Sequence, residues 1–175
     1  MLFRSMTDLV LGTNLDAIQR DYVQTVADSA ESLMSLLDQV LDFSRIESGT
    51  LDLDIADLDL REVIGATLWS LAVKAHSRQV ELAWHVDALV PRWLAGDAAR
   101  LRQILTNLVG NGIKFTELGE VFVDVQLDER DAAGVKLLFS VRDNGIGISP
   151  DKLESIFSAF GQADSSSTRR YGGTG

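Results

Sequence analysis

Asn107-Leu108-Val109-Gly110-Asn111-Gly112-Ile113-Lys114-Phe115-Thr116 is the stretch on which the reading of this chain turns. It closes a segment, 97–115, that reads as a strong helix started by an Asp97 cap. On a helical wheel Leu101, Ile104, Leu105, Leu108, Gly112 and Phe115 gather on one side, as a core stripe. Arg100, Gln103, Asn107, Asn111 and Lys114 gather on another, three and four residues apart. Asn is a poor helix former, so two of them one turn apart add nothing to the helix itself. A carboxamide oxygen is a neutral hard ligand that suits a magnesium ion already carrying phosphates. A lysine one turn further can meet a phosphate oxygen. A merely solvated polar face fits the same residues.

Outward from this helix lie two glycine-rich stretches. Asp143-Asn144-Gly145-Ile146-Gly147-Ile148 follows a predicted strand. Two glycines at alternate positions let backbone approach a flat ligand, and an Asp at a strand end can accept a hydrogen bond from an exocyclic amine such as that of adenine. A tight glycine turn explains it as well. Arg169-Arg170-Tyr171-Gly172-Gly173-Thr174-Gly175 offers backbone N–H groups to an anion, or is simply an irregular segment.

The remaining chain frames these pieces. Leu15, Ile18, Tyr22, Val26, Ala30, Leu33, Leu37 and Val40 recur at helical spacing, with no Pro or Gly between Leu15 and Ser48. Residues 16–47 therefore read as one helix, capped by Asp16 or Asn14 and stopped at Gly49. A helix of about 30 residues is roughly 45 Å long. That is long for a small compact domain, so its apolar stripe asks for a coiled-coil or bundle partner. Packing within its own domain is the alternative. Residues 5–11 resemble the last turns of another, antiparallel helix before a Gly12–Asn14 turn. Leu51, Leu53 and Ile55 alternate with Asp52 and Asp54 and predict a strand. A helix over 61–76, strands over 80–86, 121–127 and 135–142 with a turn over 128–134, and a short helix over 153–160 follow. Strands and helices mix without βαβ alternation. The expected fold is α+β, a long helical stalk followed by a two-layer α/β sandwich.

Composition narrows the function. Net charge is −10, which argues against a nucleic-acid partner. The charge is uneven: −5 over residues 1–50, −4 over 51–60 and −1 over the rest. The absence of cysteine excludes disulfides, thiolate metal sites and a Cys nucleophile. His76 and His85 are too far apart for a compact zinc motif. No run of about 18 apolar residues is present, so no membrane contact by this segment is expected. The first residues lack a signal-like apolar region, and a cytoplasmic location is expected, with a parent that could be membrane-anchored.

The motifs occur in a telling order. Residues 107–116, then 143–148, then Ile156-Phe157-Ser158-Ala159-Phe160-Gly161-Gln162-Ala163-Asp164, then Gly172-Gly173-Thr174-Gly175 resemble the N, G1, F and G2 boxes of sensor histidine kinases. Leu41-Asp42-Phe43-Ser44-Arg45-Ile46-Glu47-Ser48-Gly49 is similar to the end of that family's dimerisation helix. The resemblance implies a partial dimerisation and phosphotransfer region over residues 1–50 and an ATP-binding domain of the histidine kinase and GHKL ATPase type over 51–175. It implies ATP and Mg2+ as cofactors, with Asn111 on the metal and Asn107 and Lys114 toward the phosphates. Asp143 would accept from the adenine amine, and Gly145 and Gly147 would shape the base pocket. Phe157 and Phe160 would anchor a lid formed by residues 161–171. Gly173, Thr174 and Gly175 would contact the phosphates. Expected partners are a second copy, through the 16–47 helix, and the receiver domain of a response regulator. The expected reaction moves the γ-phosphate of ATP to a histidine for relay to that receiver.

Two departures stand out. The acceptor histidine expected on the first bundle helix is absent, and the family's continuation beyond Gly175 is also missing, which suggests an interior or truncated piece of a kinase. His76 and His85 fall in the ATP-domain region and read as structural or surface residues. Gly112 stands where the family usually has Ala, which weakens the helix by roughly 1 kcal/mol. A non-catalytic dimerising, ATP-binding signalling module is the alternative reading. An ATPase clamp of the same superfamily fits less well, because Asn107 stands where its water-activating carboxylate is expected.

Overall fold

Val121, Val123 and Val125 alternate along one strand and expose nothing to solvent, because two helices close over that face. The computed structural model describes residues 2–132 and 134–153. The chain forms two compact units, Met1–Asp52 and Leu53–Gly175.

The first unit is a pair of helices in contact, α1 (Leu2–Leu11) and α2 (Ala17–Glu47). A capping box starts α2: Asp16 Oδ1 accepts from the Gln19 N–H at 2.8 Å, and the Gln19 side chain accepts from the Asp16 N–H at 3.2 Å. Gly49 takes φ +66° just past the helix, a backbone state that favours glycine. Arg45 sits in the last turn, where the helix dipole favours a cation. Ile18, Tyr22, Val26, Leu33, Leu37 and Val40 remain exposed.

The second unit holds two sheets. β1 (Ala56–Asp59) pairs antiparallel with β3 (Trp93–Gly96), in register from Ala56 opposite Gly96 to Asp59 opposite Trp93. In the other sheet β2 (Val80–Val86) runs parallel to β4 (Gly119–Arg130), which pairs antiparallel with β5 (Val135–Asp143). Helices α3 (Leu60–Ser77) and α4 (Ala98–Phe115) cover the face carrying Val121, Val123 and Val125. Leu60, Ile64, Leu105, Val109 and Ile113 fill the space between. Each such fully buried side chain is worth about 1.5–3 kcal/mol relative to an exposed one. This is the two-layer α+β arrangement that the sequence predicts.

Two aspartates fasten the helix starts. Asp59 Oδ1 caps α3 through the Arg61 and Glu62 N–H groups, at 3.0 and 3.2 Å, and its Oδ2 accepts from Arg92 Nε at 2.6 Å. Asp97 Oδ1 caps α4 through the Ala99 and Arg100 N–H groups, both at 3.0 Å, while its Oδ2 accepts from the Asp54 N–H at 3.1 Å. These donors hold both carboxyls below the ordinary aspartate range, led by the Arg92 side chain for Asp59 and the Arg100 N–H for Asp97.

Three local expectations are corrected. Residues 51–55 form no strand: pairing begins at Ala56, and Leu53 and Ile55 are exposed. The strand Trp93–Gly96 is absent from the sequence reading, since four residues between Pro91 and a glycine carry no usable alternation and are extended by pairing with β1. The core stripe of α4 is rotated from the one expected. Ile104 and Leu108 are 56% and 48% exposed, whereas Val109 and Ile113 are fully buried. The helix carries apolar residues on two faces, and only contact with β4 decides which is inside. Of the short helix expected over 153–160 only Leu153 is described; a 3-10 turn, Pro150–Lys152, precedes it.

Candidate functional site

The place where α4 meets β4 and the end of β5 is set by a missing side chain. A Cβ on Gly112 would stand 3.1 Å from both methyl carbons of Val121 and 3.6 Å from Asp143 Cβ. Glycine lets α4 lie close on the sheet there, and so brings the end of β5 beside the helix. The residue expected to loosen the helix is thus the one that permits its close packing.

The segment after β5 is then tied back to α4 through main chain. Asp143 Oδ1 accepts from the Gly145 N–H at 2.9 Å, which bends the chain in an Asx turn. The Ile146 N–H donates to the Phe115 carbonyl at 3.3 Å. A Cβ on Gly145 would fall 2.6 Å from that same oxygen, so only glycine fits. Asn144 bridges to the start of β4: its Oδ1 accepts from the Glu120 N–H at 2.9 Å, and its own N–H donates to the Glu120 carbonyl at 3.3 Å. Gly147 takes φ +69°, a left-handed turn position.

Beside this loop the outer face of α4 presents Asn107 and Asn111, both exposed, and Lys114, half-buried. Neither carboxamide has a hydrogen-bond partner among the described residues. The exposed Ile104 and Leu108 border them. At the start of the stripe Arg100 Nη1 donates to Gln103 Oε1 at 2.7 Å. Burial, and then the charges of Lys74 and Arg78, hold the Lys114 ammonium below its usual pKa. Thr116 Oγ1, at the C-cap of α4, is buried and has no partner among the described residues. A cleft of about 320 Å³, lined by Gln79, Glu81, Leu118, Gly119, Glu120 and Asn144, adjoins the loop.

The structure therefore brings Asn111, Lys114, Asp143 and Gly145 to one edge of the second unit, with Asn107 a turn back along α4 and Gly147 further along the loop. Phe157, Phe160, Gly173, Thr174, Gly175 and the expected lid lie outside the described residues. The sequence reading missed the two contacts that hold the loop, the Phe115 carbonyl and the Asn144 side chain. The first is main chain and leaves no trace in residue type. The second had a signal in Asp143-Asn144-Gly145, a turn sequence whose Asn can stand in for a strand residue.

A larger cleft of about 760 Å³ opens elsewhere, lined by Asp59, Arg61, Leu89, Val90, Arg92 and Arg130 among others. Its basic groups are mostly engaged within the fold: Arg61 donates to the carbonyls of Asp87 and Val90, and Arg92 to Asp59. Chemically versatile groups gather at α4, not there. Among the described residues no group of three or more His, Cys, Asp or Glu could hold a metal ion. A lone carboxamide suits an ion that arrives with most of its ligands already attached. No described helix is long and apolar enough to cross a membrane.

Comparison with known proteins points the same way. Residues 2–49 match the family described as the His Kinase A (phospho-acceptor) domain. Residues 96–175 match the family of histidine kinase-, DNA gyrase B-, and HSP90-like ATPases. The sensor histidine kinase GacS of Pseudomonas protegens is 44% identical over 169 residues, which is 97% of this chain and 18% of that protein. This chain thus spans under a fifth of that relative's length. The crystal structure of full-length ShkA in complex with AMPPNP superposes with a TM-score of 0.75 at 35% identity, covering 93% of this chain and 34% of that one. The histidine kinase ThkA, solved in complex with the response regulator TrrA, superposes with a TM-score of 0.62. At 19% identity, over 90% of this chain and 44% of that one, it speaks for the fold alone.

Proposed function

The chain belongs to the sensor histidine kinases of two-component signal transduction, and on that premise we propose that its second unit is a nucleotide-binding kinase core that takes ATP with magnesium. The observation that carries the proposal is the pairing of two unsatisfied carboxamides on α4 with a glycine loop closed on the end of that helix.

The roles follow from the chemistry of each group. Asp143 is exposed and keeps a carboxylate oxygen for the exocyclic amine of adenine. Gly145 and Gly147 keep the loop free of side chains beside the base. Asn111 offers a neutral oxygen to magnesium, and Asn107 and Lys114 face the phosphates. Phe157 and Phe160 hold the lid, and Gly173, Thr174 and Gly175 present backbone to the phosphate chain. Magnesium, when bound, neutralises the charge that develops on the transferring phosphoryl group. The parent protein passes that group from ATP to a histidine nitrogen, releasing ADP, and from the histidine to an aspartate of a response-regulator receiver. Such transfer needs the acceptor held in line with the γ-phosphate. A homodimer through α2 supplies the scaffold, since that helix leaves a long apolar stripe exposed. The unit works in the cytoplasm.

One observation favours a second reading for these residues taken alone. The stretch matching the phospho-acceptor family, 2–49, contains no histidine, and both His76 and His85 lie in the second unit. Within these 175 residues the ATP-binding unit then acts on an acceptor supplied by another segment, or serves as a dimerising module without transfer.

Calorimetric titration tests the nucleotide reading. Asp143→Ala weakens adenine nucleotides by about 1–3 kcal/mol, the cost of leaving the adenine amine unpaired. Asn111→Ala weakens ATP more with magnesium than without it. Equal losses with and without the metal would remove Asn111 from the metal. Incubation with γ-labelled ATP and a histidine-bearing helical partner tests transfer; acid-labile label on His76 or His85 would overturn the assignment.

A further inference from the structure

Three cations converge where α3 and α4 end. Lys74 lies in the last turn of α3, Arg78 is its C-cap residue, and Lys114 lies in the last turn of α4. Arg78 Nη1 donates to the Lys114 carbonyl at 2.8 Å, which locks the two helix ends together. Lys114 Nζ lies 5.0 Å from the centre of the Phe115 ring. Among the described residues no carboxylate pairs with any of the three.

That arrangement is unusual for this chain. Its net charge is −10, so acids are plentiful, yet this corner has uncompensated positive charge. Burial first, and then repulsion by both neighbours, lowers the affinity of Lys114 for a proton. The C-terminal dipoles of two helices meet here and make the cluster tolerable without a ligand. A polyanion would convert the mutual repulsion into attraction.

Resting on the nucleotide reading above, we propose that Lys74 and Arg78 act with Lys114 as the receiver of the polyphosphate end of the nucleotide, so that α3 as well as α4 sets the preference for triphosphate over nucleoside. Lys114 is the member nearest the carboxamides on α4. Lys74 and Arg78 need not touch a phosphate oxygen. At partly screened range they raise the local potential and so favour ligands by charge.

The test titrates the whole chain with ATP, adenosine and inorganic tripolyphosphate at low salt. Lys74→Gln and Arg78→Gln each weaken ATP and tripolyphosphate by roughly two- to fivefold, the scale of one exposed charge, and leave adenosine unchanged. Lys74→Arg keeps the charge and restores ATP affinity. The dependence of ATP affinity on salt becomes shallower in both Gln variants. Thermal unfolding of each variant separates this from a capping role: a purely structural pair lowers the melting temperature and leaves the ATP-to-adenosine ratio intact, which would overturn the proposal. ATP binding that survives with that ratio unchanged in both Gln variants defeats the proposal and leaves the nucleotide reading standing. If the unsubstituted chain binds tripolyphosphate but neither ATP nor adenosine, the cluster stands as a polyanion site and the nucleotide reading fails.

Discussion

Gly145 lies so close to Phe115 that a Cβ placed on it would stand 2.6 Å from the Phe115 carbonyl oxygen. The obstacle is main chain at the end of α4, which cannot swing aside. Gly145→Ala therefore lifts the loop off the helix, at the overpacking scale of about 1–3 kcal/mol. Chemical denaturation measures the loss, and nucleotide titration should show weakened binding in the same variant. Unchanged stability and binding would mean that the loop does not close on α4.

Gly112 and Val121 form a second close pair, of a different kind. Alanine at 112 gains about 1 kcal/mol of helix propensity. Its methyl group meets both Val121 methyl carbons at 3.1 Å, and Val121 is fully buried. Gly112→Ala is thus expected to stabilise the protein by less than propensity predicts, or to destabilise it. In combination with Val121→Ala the two changes should couple by more than about 0.5 kcal/mol, with the double variant better than the sum. Additive free energies of unfolding would show that α4 does not rest on Val121.

The sequence made α2, α3, α4 and three of the five strands legible because those segments carry their own periodicity and caps. Asp16 and Asp97 are local signals, since each caps its helix through N–H groups within three residues of itself. The pair β1 and β3 was not legible, because Trp93 is extended only through its register with Asp59, more than thirty residues away. The core face of α4 was half legible. Leu105 and Gly112 belong to it, but Ile104 and Leu108 point outward beside Asn107 and Asn111. An apolar residue flanking an exposed polar face looks, on a wheel, like one in the core. At the site, residue types and order suggested Asn111, Lys114 and Asp143 as partners, whereas the contact between Gly145 and a backbone carbonyl arises only in the folded chain.

Asp59 makes stability sensitive to acid. Its carboxyl is held below the ordinary aspartate value of 3.8, first by the Arg92 hydrogen bond. A lowered folded-state pKa contributes stability that is complete above the unfolded value and is lost as pH falls through the folded one. The second unit should therefore lose stability below about pH 4, and Asp59→Asn should flatten that part of the profile. Melting temperatures measured from pH 6 to pH 2 check this; an identical acid limb in Asp59→Asn would count against the Arg92 contact.

The stripe on α2 predicts assembly. Leu33 and Leu37 are exposed one turn apart on a 31-residue helix. In the parent protein, replacing both with Lys should convert dimers to monomers in light scattering, because charges cannot be buried at a helix seam without partners. A dimer mass that survives the double substitution would remove the helical seam from this account.

The two glycine contacts differ in what evolution can do with them. At position 112 the neighbour is a side chain, so a larger residue there can be matched by a smaller one at 121, and the two positions are free to drift together across related sequences. At position 145 the nearest obstacle, ahead of the Asp143 carboxylate oxygen at 2.7 Å, is a carbonyl that every amino acid carries. No change at 115 can make room, so position 145 has no compensating partner and position 115 inherits no constraint from it. Variation and co-variation at these sites would thus separate a glycine required by its neighbour's side chain from one required by the chain itself.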